Sequence, residues 1–328
     1  MYYTKSQEIL EKINKAKKIL VNLHRGPDPD SFACAFALYY FLCSLGKEVD
    51  IVLTKTSELS SDLSSIEESD LIKKVNYAKF DFSKYDLFLI PDSGSWQQVV
   101  DNPEVQVANL PIVVIDHHES NEKFGKINLV EKEAGSCAEV IFKLFKDWDF
   151  YIDTKMANLL MMGIVVDTGA FAFSDNPQSL RVAADLMELG AKKTDIINRF
   201  FRTKKFNVLK YWGEYLARME FDTEHKFVWT ALPYEIEDKY KIHSSGFSTM
   251  FGSMVEDSNF GIIMSEDEKN VLKISFRSRS GIDVAKLAEL FGGGGHKMAA
   301  GAQVTGLSFK KSVEKVLEIA RDYAKRNS

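Results

Sequence analysis

The sequence predicts an α/β fold: a doubly wound, mainly parallel sheet forms a first domain, and a second, smaller α/β domain follows it. Two observations support this prediction. Short apolar runs alternate with helix-length segments through the first half of the chain, which is typical of parallel strands buried on both faces. The chain of 328 residues is also longer than one ordinary hydrophobic core requires, which favours two domains.

The first domain is predicted at residues 1–191, from apolar runs taken in chain order. Strands are expected at 19–23, 49–53, 86–90 and 112–115, and helices at 31–45, 136–146, 155–166 and 179–190. The helix at 31–45 has no charged residue, but it is shorter than the roughly 20 residues needed to span a bilayer. We therefore interpret it as a buried helix.

Residues 192–218 are basic and aromatic, and are predicted to form a helical linker between the domains. In the second domain, 219–328, strands are expected at 226–232, 260–264 and 271–276, and helices at 282–291 and 308–325. This succession of strands and helices predicts the smaller α/β domain.

Charge and cysteine content argue against several classes of protein. A net charge of −5 disfavours a protein that grips long duplex DNA, because such proteins carry a basic excess that neutralises phosphates. The three cysteines, Cys34, Cys43 and Cys137, form no CxxC pair, and their odd number makes a disulfide framework unexpected. The first residues are charged and lack a signal-peptide core. We therefore expect a cytoplasmic protein with no membrane partner.

Four polar clusters follow predicted strands or helices of the first domain. They are His24 with Asp28 and Asp30; Asp92; Asp116-His117-His118; and Asp167-Thr168-Gly169. In an open parallel sheet, ligands bind outside the carboxyl ends of the strands, so these side chains are expected to converge. A lone aspartate after a strand is more often a helix cap, but four clusters in this order favour a binding site.

The converging side chains comprise five carboxylates and three imidazoles, too many for one metal ion and about the right number for two. Crowded carboxylates repel one another unless cations neutralise them. Mixed aspartate and histidine ligands suit Mn²⁺ or a similar first-row ion. Paired metals roughly 3.5–4 Å apart activate water for attack on phosphate esters. The clusters therefore predict a hydrolase with two divalent metal ions, preferably Mn²⁺.

The second domain carries a different polar motif. Arg277 and Ser278 lie on a predicted strand, and four consecutive glycines precede His296. Glycines let a backbone turn its N–H groups toward an anion, and the planar guanidinium of Arg277 suits phosphate. A flexible helix end is the alternative interpretation of the glycine run, although one glycine suffices for that.

Together these motifs resemble those of the DHH phosphoesterase family. The four clusters are similar to the motifs of its DHH domain, and Arg277-Ser278, the glycine run with His296, and Ala299-Ala300-Gly301 are similar to its DHHA1 domain. The resemblance extends over about residues 15–325 and is closest to the nanoRNase and pAp phosphatase type. Pro29 stands where the family usually has glycine, which stiffens the loop between two of the aspartates.

The resemblance implies a role for each motif residue. The metal ligands would be His24, Asp28, Asp30, Asp92, His117 and Asp167. Asp92, with Asp167 as a second candidate, would bridge the ions. His118 would contact the scissile phosphate and Asp116 would support His117, so His118 and Asp116 are the expected catalytic pair. Substrate would be bound by Arg277, Ser278, Gly292, Gly293, Gly294, Gly295 and His296.

The resulting hypothesis is an enzyme that hydrolyses phosphate esters in short oligoribonucleotides (nanoRNA) or pAp, through water activated by two metal ions. A phosphodiesterase acting on cyclic or linear dinucleotides is the alternative. A nucleotide- or RNA-binding module without activity is a third hypothesis; a degenerate site would have lost ligands, whereas all six are present. The sequence leaves open whether the chain forms a homodimer.

Overall fold

The computed structural model describes residues 2–102, 104–105, 110–173, 175–242 and 246–327, apart from the side chains of Thr249, Met250, Ser253 and His296. The chain divides into two units, Met1–Thr203 and Lys204–Ser328. The division falls within 192–218, the segment that the sequence predicts as a linker. Each unit has its own sheet and its own hydrophobic cores.

The strands of the first unit are β1 (Lys18–Asn22), β2 (Glu48–Thr54), β3 (Ile72–Val75), β4 (Leu87–Pro91), β5 (Ile112–Asp116) and β6 (Ile127–Val130). Its helices are α1 (Ser6–Lys15), α2 (Pro29–Ser44), α3 (Ser61–Ser64), α4 (Trp96–Val99), α5 (Cys137–Asp147), α6 (Thr154–Asp167), α7 (Pro177–Glu188) and α8 (Lys193–Ile197). Short 3₁₀ turns lie at Glu67–Leu71, Tyr77–Lys79 and Phe82–Lys84, and a π-helical turn at Asn198–Arg202.

The six strands form a parallel sheet in the order β3-β2-β1-β4-β5-β6. From β1 the chain first adds β2 and β3 on one side, and then returns to add β4, β5 and β6 on the other. The connections therefore diverge between β1 and β4, where they leave a crevice at the carboxyl ends of the strands. Such a reversal is the usual ligand site of doubly wound sheets.

Both faces of this sheet are buried, which explains the uninterrupted apolar runs in the sequence. Ile19 and Val21 of β1 pack in a core with α1, α2, α5 and α6. Leu20, between them, points to the other face, where it joins a core that includes Tyr77 and residues of α4. The predicted doubly wound α/β class is confirmed.

The second unit begins with α9 (Phe206–Ala217) and contains β7 (Glu220–Asp222), β8 (Phe227–Leu232), α10 (Tyr234–Tyr240), α11 (Phe247–Met254), β9 (Phe260–Glu268), β10 (Val271–Ser278), α12 (Val284–Glu289), β11 (Gly294–His296), β12 (Ala299–Thr305) and α13 (Phe309–Arg326). The strand order is β11-β12-β10-β9-β8-β7, and β8 and β9 are the parallel pair. Helices α12 and α13 cover one face, and α9, α10 and α11 cover the other. None of the described helices in either unit has the length and apolar character needed to cross a bilayer.

The second half of the glycine run forms strand β11, which is not among the strands predicted from sequence. The N–H of Gly292 donates to the carbonyl of Glu289 (2.9 Å) and ends α12. A Cβ on Gly293 would lie 2.2 Å from the carbonyl oxygen of Gly301, and a Cβ on Gly295 would lie 2.6 Å from the Cα of Ala300. These two glycines therefore let β11 lie close against β12.

Candidate metal centre and active site

Six side chains meet at the crevice between β1 and β4. His24, Asp92 and His117 follow β1, β4 and β5, Asp28 and Asp30 lie at the start of α2, and Asp167 ends α6. Potential ligand atoms of His24, Asp28 and Asp92 lie within 4.8 Å of one another, and so do those of Asp30, His117 and Asp167. A third, overlapping group consists of Asp92, His117 and His118, so the structure brings together all six candidate ligands and places His118 beside them.

Asp92 is shared by two of these groups, one that contains His24 and one that contains His117. One carboxylate oxygen, Oδ2, is 3.6 Å from Nε2 of His24, and the other, Oδ1, is 3.8 Å from Nε2 of His117. The residue is buried, and its Oδ1 has no hydrogen-bond partner. Its φ of +52° is a backbone conformation that aspartate tolerates better than most residues. The carboxylate therefore faces both groups with one oxygen each.

Backbone carbonyls orient the two histidines of these groups. Nδ1 of His24 lies 3.0 Å from the carbonyl oxygen of Arg25, and Nδ1 of His117 lies 3.3 Å from that of Ala134. Because a carbonyl only accepts hydrogen bonds, each Nδ1 carries the proton, and in the neutral ring Nε2 keeps a lone pair. Nε2 of His117 is buried without a hydrogen-bond partner. A histidine that binds a metal through Nε2 has no other partner for that atom. The unpaired Nε2 of His117 therefore fits a divalent metal ligand.

Asp30 is held at the start of α5. Its buried carboxylate accepts hydrogen bonds from the backbone N–H groups of Cys137 (2.7 Å) and Ala138 (3.0 Å). The next N–H, that of Glu139, donates to Oγ of Ser136, which caps the helix. The positive end of the α5 dipole therefore faces Asp30, which stabilises its charge and fixes its position.

Gly163 is a positioning residue that the sequence reasoning missed. It lies in the middle of α6, where that helix packs against α2 and α5. A Cβ at this position would lie 2.4 Å from Oδ1 of Asp30 and 2.7 Å from Cβ of Ala138. The absence of a side chain leaves the space that the Asp30 carboxylate occupies. The sequence did contain a signal for this role. An isolated glycine inside an apolar helical segment destabilises the helix relative to alanine, so its presence indicates a packing requirement.

The prediction that Asp116 would support His117 is wrong. Oδ1 of Asp116 lies 2.7 Å from Nδ1 of His118, whereas the ring of His117 is held by Ala134. The hydrogen bond to Asp116 raises the pKa of His118 to about 9. Asn121, which the sequence reasoning also missed, donates to the second oxygen of Asp116 (2.6 Å) and fixes it in turn. The two adjacent histidines are therefore held by different partners.

Burial and the close packing of the carboxylates raise the pKa values of two of them. Burial, together with the charges of Asp92 and Asp28, raises the pKa of Asp30 well above its usual value. Burial and the charge of Asp30 raise the pKa of Asp167 to about 8. Burial opposes the protonation of His24, but Asp28 and Asp92 outweigh it and raise its pKa. The carboxylates of the centre therefore cannot all stay ionised at neutral pH without added positive charge, which a bound divalent cation would supply.

The substrate-binding candidates of the second unit lie at the ends of β10 and α12. Arg277 is half-buried; its Nη1 donates to the carbonyl of Phe276 (2.8 Å) and its Nη2 to Oγ of Ser248 (3.3 Å). No carboxylate of the described residues lies within ion-pair distance of it. Ser278 is buried, and its Oγ has no hydrogen-bond partner. The backbone of His296 lies on β11, but its side chain is outside the described part of the chain.

Comparison with known protein families matches both units. Residues 18–164 match the N-terminal domain of the DHH family, and residues 234–326 match the DHHA1 domain. The two matches together span more than two thirds of the chain. The chain belongs to the DHH family. The predicted membership of the DHH/DHHA1 phosphoesterases is therefore confirmed.

Relatives of this DHH protein carry several activities in their names. The bifunctional oligoribonuclease and PAP phosphatase NrnA of Thermus thermophilus is 28% identical over 98% of this chain and 95% of its own length. The cyclic-di-AMP phosphodiesterase PdeA of Listeria monocytogenes is 25% identical over 98% of this chain, but over 50% of its own length. An exopolyphosphatase-related protein from Bacteroides fragilis has the same fold, with a TM-score of 0.88 at 24% identity over 98% of this chain and 96% of its own.

Proposed function

We propose that this DHH protein hydrolyses phosphate esters in nanoRNA and pAp with two divalent metal ions, preferably Mn²⁺. The observation that carries the proposal is the position of Asp92, which directs one carboxylate oxygen toward His24 and the other toward His117 within overlapping groups of potential ligands. The name of the Thermus thermophilus relative supports the choice of substrate, because the similarity extends over nearly the whole of both chains. A cytoplasmic location completes the proposal, supported by three free cysteines.

In this proposal some residues bind the metal ions and others act on the substrate. His24, Asp28 and Asp92 hold one ion, and Asp30, His117 and Asp167 hold the other. Bound divalent cations lower the pKa of water and stabilise negative charge on phosphate oxygens. Asp116 holds the ring of His118 through Nδ1. Nε2 of His118, which has no hydrogen-bond partner among the described residues, donates to the oxygen that leaves the phosphate.

Product analysis by chromatography tests this function. The purified protein is offered pAp, RNAs of two to five nucleotides, a 24-nucleotide RNA, and linear and cyclic di-AMP, each with Mn²⁺ or with EDTA. We expect metal-dependent mononucleotide release from the short RNAs and AMP from pAp. Hydrolysis of di-AMP alone would instead support the dinucleotide phosphodiesterase, which the Listeria relative makes the second candidate. Binding without any hydrolysis would support the non-enzymatic module.

Separate alanine variants of the two adjacent histidines are expected to fail in different ways. His117→Ala loses metal, because Nε2 of His117 lies 3.2 Å from Asp167 and inside one ligand group. His118→Ala keeps its metal and loses turnover by roughly 10²–10⁴-fold, the usual contribution of a positioned proton donor. Metal content by plasma mass spectrometry and kcat measured at saturating Mn²⁺ distinguish the two.

Asp116, the hydrogen-bond partner of His118, provides a second test of the role of His118. Asp116→Asn removes the carboxylate at Nδ1 of His118 while it keeps the shape of the side chain. We expect it to lower kcat in the same direction as His118→Ala, with metal content unchanged. If His118→Ala loses metal and His117→Ala does not, the two assignments are reversed.

We also propose that Arg277, Ser278, Gly292–Gly295 and His296 contact the substrate. A half-buried guanidinium without a carboxylate partner is suited to a phosphate. Arg277→Ala is therefore expected to raise the KM for pAp about 10- to 100-fold, the range for loss of a hydrogen bond to a charged group. Hydrolysis of bis-p-nitrophenyl phosphate, which is too small to need this contact, should stay close to normal.

Arg218→Ala is the matched control for this variant, because Arg218 is already paired with Glu214 (2.7 Å). Its KM for pAp should equal that of the unmodified protein. Equal damage by Arg277→Ala to pAp and to the generic ester would contradict a role in substrate binding.

A further inference from the structure

A cavity of about 430 Å³ adjoins the candidate metal centre within the first unit. Its lining includes two of the proposed ligands, His117 and Asp167, together with Lys132, Glu133, Phe173 and Asn176. A group that occupies this cavity therefore lies beside the place where phosphate is proposed to react. The chemistry of the other lining residues indicates which part of a substrate enters it.

Phe173 is exposed, with 72% of its surface accessible, although it is a large apolar side chain. Its ring lies against Gly169: a Cβ at Gly169 would be 2.3 Å from Cε2 of Phe173. The absence of a side chain at Gly169 thus lets the ring pack against the backbone on one side. The remainder of the ring is open to the cavity and to solvent.

The segment between Asp167 and Phe173 fixes the position of this ring. Gly169, Ala170 and Phe171 all have positive φ, between 56° and 71°, a conformation that non-glycine residues adopt at a cost. Hydrogen bonds hold the turn: the N–H of Phe173 donates to the carbonyl of Thr168 (3.0 Å), and that of Phe171 to Oγ1 of Thr168 (3.1 Å). The turn connects a candidate metal ligand directly to an exposed aromatic ring.

The charges of the cavity disfavour an additional phosphate inside it. Apart from the proposed metal ligands, Glu133 and Asp175 contribute two carboxylates to the lining, whereas Lys132 contributes one ammonium group. Lys132 itself lies 3.8 Å from the exposed Glu119. A neutral planar group is therefore the part of a nucleotide that this cavity suits, since it needs no counter-charge and has a face to offer the ring.

We propose that Phe173 stacks on the nucleobase of the nucleotide whose phosphate is hydrolysed. The inference rests on the proposed function, which makes a nucleotide the substrate. Stacking on an aromatic side chain contributes to affinity for every base, because each base has a π-face. Phe173 is thus a specificity residue that selects nucleotides over other phosphate esters without selecting among bases.

The test compares pAp with its abasic analogue, in which the adenine is replaced by hydrogen. For the unmodified protein we expect a KM for pAp lower than that for the analogue by roughly 5- to 150-fold, the contribution typical of one stacked base. Phe173→Ala should raise the KM for pAp toward that of the analogue, while the KM for the analogue and the metal content stay unchanged. Phe173→Trp should restore the low KM, whereas Phe173→Leu should not.

Tyr151→Ala is the matched control, because Tyr151 is equally exposed (78%) in the same unit but does not line the cavity. It should leave both KM values unchanged. If the unmodified protein hydrolyses pAp and its abasic analogue with equal KM, stacking is refuted while the phosphoesterase function stands. Rescue by Phe173→Leu would also refute it, by indicating a packing role. If the unmodified protein hydrolyses no phosphate ester, the proposed function fails and the stacking inference fails with it.

Discussion

Replacing Asp92 is expected to remove nearly all hydrolytic activity and at least one metal ion per chain. Its two carboxylate oxygens face His24 and His117, which belong to different ligand groups. Asp92→Asn is the preferred variant, because asparagine tolerates the positive φ of this position better than alanine does. Loss of a preorganised charge at the reacting centre suggests a decrease in kcat on the order of 10³-fold. Metal analysis and steady-state kinetics at saturating Mn²⁺ measure both effects.

Asp238→Ala serves as the control for this prediction. Asp238 is exposed on α10, and its ion pair with Lys241 is a long contact of 3.8 Å. Metal content and kcat should not change in this variant. An Asp92→Asn protein that retains two metal ions and near-normal turnover would rule out a bridging role for Asp92.

Gly163→Ala is expected to lower both stability and metal affinity, although alanine usually strengthens a helix. The new Cβ would meet Oδ1 of Asp30 at 2.4 Å and Cβ of Ala138 at 2.7 Å. Overpacking of this kind costs about 1–3 kcal/mol in the free energy of unfolding. Displacement of Asp30 should also weaken metal binding by roughly 10–100-fold, as is typical when the surroundings of a metal ligand are disturbed.

Gly213→Ala is the matched comparison, because Gly213 also lies within a helix and a Cβ there would have no neighbour within 4 Å. This variant should be neutral or more stable by up to about 1 kcal/mol. Denaturant unfolding and calorimetric titration with Mn²⁺ compare the two. If Gly163→Ala is as stable as Gly213→Ala and binds metal normally, the absence of a side chain at Gly163 is not needed to position Asp30.

The convergence of the candidate ligands could be predicted from sequence because it follows from the polarity of the sheet. His24, Asp92 and Asp116 end or follow strands β1, β4 and β5, and the carboxyl ends of parallel strands lie at one edge. No distance is needed for this argument. The apolar runs that identify the strands, such as Leu87–Pro91, are likewise local features of the chain.

The partners of the site residues could not be predicted in this way. Asp116 and His118 are two residues apart in sequence and His117 is nearer still, but the turn after β5 directs His118 toward the carboxylate. Asp30 is bound by Cys137 and Ala138, more than a hundred residues further along the chain. The second half of the glycine run was not predicted as a strand, because its pairing with β12 depends on a segment that lies beyond it in the sequence.

The sequence by itself determined the fold class, the family and the set of residues from which a metal centre can be built, since strand periodicity and the order of motifs are properties of the chain alone. Only the tertiary structure decided how that set is arranged around Asp92, that Gly163 leaves space for Asp30, and that Phe173 is exposed beside Asp167. Each of these depends on distances between segments that are remote in sequence, and packing of the whole unit sets those distances.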